Sequence, residues 1–322
     1  MSERLDTRLD VAFPDREGVT LRGWLYPAAP GTAPGPGVVV AHGFSATKEM
    51  GLDRFAEAFA AVGITVLVYD HRGLGASDGE PRQVIDPYAQ ARGYRAALDW
   101  LTARPEVDPD RVGIWGSSFS GGVVLVTGAV DRRVRAVVAN VPLAGFPGTD
   151  YSNAATNTAA FAALRDALDD PDGPGTAASA VEPAGPLAPV HAPGNELHVV
   201  MPQPESSDWF LRVGGPGSNW QNEVWLAGAP EGAPAFDPGV AVAHVAPTPL
   251  LMVVASDDTL AATDVALAAY ERAGAPKQLE LVEGHHFVDY DGASFVQVAR
   301  VMTEFFVANL AANPASNPAG NL

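Results

Sequence analysis

GIWGSSFSGG, residues 113–122, packs three serines and four glycines into ten positions. An apolar run, RVGIWG (111–116), leads into it, and GGVVLVTGAV (121–130) leads out. A short strand, a very tight turn and a helix fit that pattern. A serine at the apex of such a turn sits in strained backbone, and the residues two before and two after it must be small. Ser117 fails, because Trp115 stands two before it. Ser118 has Gly116 and Ser120 at those places, and Ser120 has Ser118 and Gly122. The strand pattern ends at 116, which puts the apex at Ser118 and leaves Ser120 as the second candidate, in the first helical turn. The alternative is a Gly/Ser turn without chemistry.

Outward from the turn, strands and helices alternate. VVVA (38–41), ITVLVYD (64–70), RVGIWG and VRAVVAN (134–140) read as strands buried on both faces. Residues 49–62 and 87–103 carry apolar side chains at helical spacing. Residues 5–26 read as two strands around a turn. The rhythm breaks near 143 and resumes with PLLMVVA (249–255), a helix at 261–273, QLELVE (278–283) and a helix at 292–311. Such alternation predicts an α/β fold, with a mostly parallel sheet and helices on both faces. The expected division is a core of 1–144 and 246–311, a cap inserted at 145–245, and a polar, frayed tail at 312–322. The Pro/Gly/Ala-rich cap reads mainly as loop.

Composition narrows the function. The formal net charge of −18 repels nucleic-acid phosphates and anionic lipid. With no cysteine, there is no thiolate nucleophile, disulfide or Cys-based metal site. Only Lys48 and Lys277 could supply lysine chemistry. The apolar runs are too short to cross a bilayer, and the first ten residues lack a signal core. A soluble, cytoplasmic protein acting on a small molecule is the expectation.

The turn resembles that of the α/β-hydrolase superfamily. HGFSATKEM (42–50) is similar to its oxyanion loop, YDHRGLGASDG (69–79) to a loop of its esterase and peptidase branches, and VEGHHF (282–287) to its histidine loop. The nearest likeness is to the Xaa-Pro dipeptidyl-peptidase and dienelactone-hydrolase types and to polyketide-releasing transferases. It covers roughly 38–145 and 245–310, with only NWQNEV (219–224) in the cap. Ser120 departs from the superfamily, which usually has glycine there.

A serine hydroxyl needs a base to take its proton, and the base needs an acid to orient it. The resemblance implies the order serine, acid, histidine. It selects His286, which precedes an aromatic residue, over His285, and Asp258 over Asp257. It places the oxyanion donors at the backbone N–H groups of Phe119 and Phe44. The chemistry it implies is ester cleavage through an acyl-enzyme on Ser118, without cofactor or metal. Thioester cleavage, acyl transfer and peptide cleavage use the same machinery, and a non-catalytic binding fold is the remaining alternative. Trp209, Trp220 and Trp225 are candidates either for a substrate pocket or for the cap's own core. His42 reads as shaping its loop, and Asp70, Arg72 and Asp78 as bracing the turns around them.

Overall fold

The computed structural model describes residues 8–28 and 34–311; the tail expected at 312–322 lies outside them. In chain order come β1 (Leu9–Pro14), β2 (Thr20–Tyr26), β3 (Gly35–Ala41), α1 (Leu52–Ala60), β4 (Thr65–Tyr69), β5 (Val84–Ile85) and α2 (Pro87–Thr102). β6 (Val107–Ser117), α3 (Phe119–Val130), β7 (Val134–Asn140) and α4 (Ala154–Asp169) follow. Then come β8 (Ala184–Leu187), α5 (Pro204–Val213), β9 (Val224–Leu226) and α6 (Pro238–Ala241). The chain closes with β10 (Leu250–Ala255), α7 (Thr263–Arg272), β11 (Lys277–Val282) and α8 (Gly292–Asn309).

Eight strands form one sheet in the order β1-β2-β4-β3-β6-β7-β10-β11. β1 pairs antiparallel with β2, and β2 with β4; every other pair is parallel. The central strands are apolar on both faces because both faces are covered. One face packs under α2, α3 and α4, with Leu67, Ile114, Val124 and Leu98 in its core. The other packs under α1 and α8, with Val38, Val40, Phe55, Trp115 and Phe306.

The register brings five strand ends to one edge. Ala41 lies opposite Gly116, Ser117 opposite Asn140, Asn140 opposite Val253, and Ala255 opposite Val282. The carboxyl ends of parallel strands form the crevice where open α/β sheets bind ligands.

The segment 145–245 is more ordered than its composition suggests. α4 is a 16-residue helix capped by Asn153, whose side chain accepts the Thr156 N–H at 3.1 Å. Its buried side chains are Phe161, Leu164 and Leu168, a stripe too narrow to stand out among alanines. That stripe packs onto the α2 side of the core. Arg92 of α2 also donates to the carbonyls of Ala167, Asp170 and Pro174. A second, three-stranded sheet, β5-β9-β8, ties the segment to the loop that follows β4. Residues 170–183, by contrast, contain only a short 3₁₀ turn.

Candidate active site

Ser118 sits between β6 and α3 with φ 57° and ψ −118°, a conformation that costs a non-glycine residue energy. The turn is held from both sides. Its N–H donates to Asn140 O at 2.8 Å, and its carbonyl accepts from Gly122 and Leu143. A Cβ on Gly116 would lie 2.2 Å from the Ser120 carbonyl, so the position two before the apex admits only glycine. A Cβ on Gly43 would lie 2.8 Å from Ser118 Cβ. That glycine lets the 42–44 loop close against the turn.

The structure brings the three predicted side chains together. His286 Nε2 is 2.8 Å from Ser118 Oγ, and His286 Nδ1 is 2.6 Å from Asp258 Oδ2. Both partners of the contact between imidazole and carboxylate are buried. Burial disfavours the Asp258 charge, but His286 and the N–H groups of Ala261 and Leu260 outweigh it and hold the carboxyl below its usual range. Asp258 therefore stays ionised, takes the Nδ1 proton as a hydrogen bond and leaves the Nε2 lone pair facing the serine hydroxyl.

The neighbours of these residues have other partners. Asp257 is exposed and accepts from Ser256 Oγ at 2.9 Å. His285 is exposed and its Nδ1 accepts the Phe287 N–H. Ser120 is fully buried. Its hydroxyl donates to the His42 carbonyl at 2.5 Å and lies 2.9 Å from His71 Nε2. Since Ser120 spends its proton on His42, His71 must donate through Nε2 and accept from the Tyr69 hydroxyl through Nδ1, 3.3 Å away. Burial holds His71 down to about 3 and His42 down to about 4, so both rings are neutral. His42 reaches the Met50 carbonyl through Nε2 at 2.9 Å, closing its loop on itself. The serine that replaces the superfamily's glycine thus ties the turn to the 42–50 loop.

The N–H groups of Phe44 and Phe119 have no acceptor among the described residues. Phe119 opens α3, where the helix dipole adds positive potential. The two rings meet edge to face at 5.9 Å.

The loop carrying Phe44 is anchored by a pair the sequence reading did not anticipate. Asp70, fully buried at the end of β4, accepts from Lys48 N and Lys48 Nζ, both at 2.7 Å, and from Ala76 N. Lys48 Nζ also donates to Glu49 at 2.9 Å. The expected bracing by acidic residues and arginine is therefore redistributed. Asp70 takes Lys48, Arg72 pairs with Asp15 and Glu17, and Asp78 pairs with Arg22. No sequence spacing links residue 48 to 70; the parallel pairing of β3 and β4 does.

A small cavity opens beside Ser118, with Met201, Trp209, Phe210 and Phe287 in its wall. Of the three candidate tryptophans, Trp209 alone lines it. Trp209 stacks on Phe287 at 4.9 Å and 16°, and its edge meets His42. Trp220 stands behind Phe210 and over Gly214. Trp225 lies against Gly185, because strand alternation in β9 turns Val224 inward instead.

Sheet order, strained turn and the line from Ser118 through His286 to Asp258 are those of an α/β-hydrolase. The family model of X-Pro dipeptidyl-peptidases (S15 family) matches residues 18–288, and the chain belongs to that family. The quorum-quenching protein AidA of Acinetobacter baumannii is 33% identical over 298 residues, 92% of this chain and 93% of that protein. A thiohydrolase of Eupenicillium brefeldianum is 45% identical over 141 residues, 44% of this chain and 45% of its own length. Against this thiohydrolase and two polyketide transferases at 40% and 43% identity, the matched stretch spans about half of their length. The alpha/beta hydrolase GrgF from Penicillium superposes with a TM-score of 0.73 at 29% identity, covering 95% of this chain and 99% of its own. Among the described residues, no helix is long and apolar enough to cross a membrane.

Proposed function

We propose that the protein is a serine hydrolase that cleaves a carboxylic ester. Ser118 attacks the carbonyl and His286 takes its proton. Asp258 fixes the imidazole and balances its charge. The Phe119 and Phe44 N–H groups receive the oxyanion; its collapse breaks the ester C–O bond and expels the alcohol, which takes the proton from His286, and water deprotonated by His286 then attacks the acyl-enzyme, freeing the acid and returning the proton to Ser118. The observation that carries this reading is the continuous contact from Ser118 Oγ to His286 to Asp258, at 2.8 and 2.6 Å. In this reading residues 145–245 are the cap over a core of 1–144 and 246–311, and Trp209 and Phe210 form the roof.

The apolar wall favours an uncharged acyl group. It offers no carboxylate to the ammonium of a peptide N-terminus, which sets the peptidase reading below the ester reading. Acyl transfer and thioester cleavage form the second reading, favoured by likeness to proteins named thiohydrolase and polyketide transferase. They share the acyl-enzyme and differ in its leaving group or acceptor.

The test is labelling by a fluorophosphonate, followed by mass spectrometry. An adduct on Ser118 that is absent from Ser118→Ala is expected; an unlabelled Ser118 in folded protein removes the reading. A panel of p-nitrophenyl esters and thioesters, with and without an acceptor alcohol, then separates hydrolysis from transfer.

A further inference from the structure

The cavity beside Ser118 is narrow. Its volume is about 20 Å³, room for little more than one water-sized group. Met201, Trp209, Phe210, Phe287 and Tyr290 wall it, and all but Met201 are buried. Each ring is held by others. Trp209 stacks on Phe287, tilts against Tyr290 with centroids 4.9 Å apart and meets Phe210 edge to face at 4.9 Å. Tyr290 in turn stacks on His42 and donates its hydroxyl to Ser117 Oγ at 2.8 Å, while its carbonyl accepts from Arg54 at 2.6 Å. Making room here means moving several rings at once, and overfilling such packing is costly. Met201, unbranched and partly exposed, is the adaptable member of the wall.

Phe119 lies outside this wall. Its half-buried ring, with that of Phe44, packs on Leu74, Ile85 and Val224 and leaves a partly exposed apolar surface next to the nucleophile. Ser118 is thus flanked by a tight apolar recess and by a more open apolar shelf.

The two products of an ester leave at different times. The alcohol must depart while the acyl group is still on Ser118, and water must then reach His286. An alcohol lodged in a narrow recess behind the acyl group would obstruct both steps. The acyl group leaves last, so it is the part that can occupy the recess without blocking turnover.

We propose that the recess is a short-acyl site: the substrate is an acetyl or propionyl ester, and its larger alcohol lies over the Phe44 and Phe119 rings. The inference rests on Ser118 forming the acyl-enzyme of the proposed reaction. An acetyl methyl fills the recess. A butyryl or longer chain has to push Trp209 off Phe287.

The direction of one trend decides. On an open apolar groove each added CH₂ raises kcat/KM, by up to about fourfold; in a filled recess it lowers it. Across p-nitrophenyl acetate, propionate, butyrate, hexanoate and octanoate, wild-type kcat/KM should peak at acetate or propionate and fall at least about tenfold by hexanoate. A flat or rising series, a peak at butyrate or beyond, or a smaller fall overturns the proposal. Acetates of ethanol, butanol and hexanol, whose leaving groups are equally basic, should show no such fall; hexyl acetate slower than ethyl acetate would put the alcohol in the recess and also overturn it. Trp209→Phe, which keeps a stacking ring and shortens the wall, should move the acyl peak to butyrate or hexanoate, whereas Trp225→Phe, outside the recess, should not. An unmoved peak in folded Trp209→Phe counts against the proposal, and Trp209→Leu serves if that variant does not fold. If only thioesters turn over, the same acyl order is expected of them. Turnover in the wrong order rejects the short-acyl site alone; no turnover of either series, with Ser118 unlabelled by a fluorophosphonate, rejects the hydrolase reading as well.

Discussion

The floor and the roof of the site are built by different physics. The floor is the carboxyl edge of the sheet. There Ser118, Asp258, His286 and the 42–50 loop are fixed by short polar contacts among buried groups, with Lys48 on Asp70 and Ser120 on His42 beneath them. The roof is drawn from 145–245. It lies over the site through ring contacts, Trp209 stacked on Phe287 and Phe210 edge to face with it, and ties its edge with exposed ion pairs such as Arg212–Asp291. Buried polar contacts have narrow geometry and are expensive to break, whereas apolar stacking tolerates repacking. The floor should therefore govern the chemical step, and the roof the choice of acyl group.

The sharpest division is between neighbours within the floor. Ser118→Ala should lower kcat/KM on the order of 10⁴-fold or more. Ser120→Ala, which loses only the tie to His42 and His71, should cost less than about 10²-fold, read on the same ester. A similar loss in both would erase the distinction between nucleophile and brace. Next in size, Lys48→Met leaves the Asp70 carboxylate buried without its cation and should destabilise the fold by about 3–5 kcal/mol in urea unfolding.

Acidity separates two carboxyls of the floor. Asp258 is depressed in the folded state, so its contribution is present above its unfolded value and is lost as pH falls through the folded one. Asp289 runs the other way. Its folded value is raised from 3.8 to about 6, so stability is fullest below the unfolded value and falls as pH rises through the folded one. The fold should lose about 2–3 kcal/mol between roughly pH 4 and pH 6, and Asp289→Asn should lack that loss. Urea midpoints of both proteins at several pH values make the comparison; parallel curves would contradict it.

Smaller effects belong to the roof. Trp209→Ala should open the wall beside Ser118 and shift preference toward longer acyl chains by about tenfold in relative kcat/KM, read across a chain-length series. An unchanged preference would mean that the roof does not select. Arg212→Ala, at an ion pair more than half exposed on both sides, should change stability by less than about 1 kcal/mol. A larger loss would make the roof as rigid as the floor.

The two regions are unequally legible in the sequence. The strands of the core are apolar throughout because both faces are covered, so VVVA and VRAVVAN announced themselves. The glycines around Ser118 marked the tight turn, and the loops holding Asp258 and His286 follow strands whose ends were visible. In the segment 145–245, α4 was hidden because only Phe161, Leu164 and Leu168 are buried among small residues, and its order comes from Arg92 and the α2 surface. Which tryptophan meets the site was equally hidden, since Trp209, Trp220 and Trp225 have the same chemistry and differ in what they pack against.

The sequence by itself determined what depends on local geometry and periodicity: the alternating α/β order, the apex at 118, and the loops after 255 and 282. Tertiary structure alone decided the pairings across long separations, Lys48 with Asp70, Ser120 with His42 and His71, and Ser118 with His286. Chain spacing constrains contacts within a turn or a helix. The meeting of residues tens to well over a hundred positions apart is set by strand order and register, which bring separate loops to one edge of one sheet.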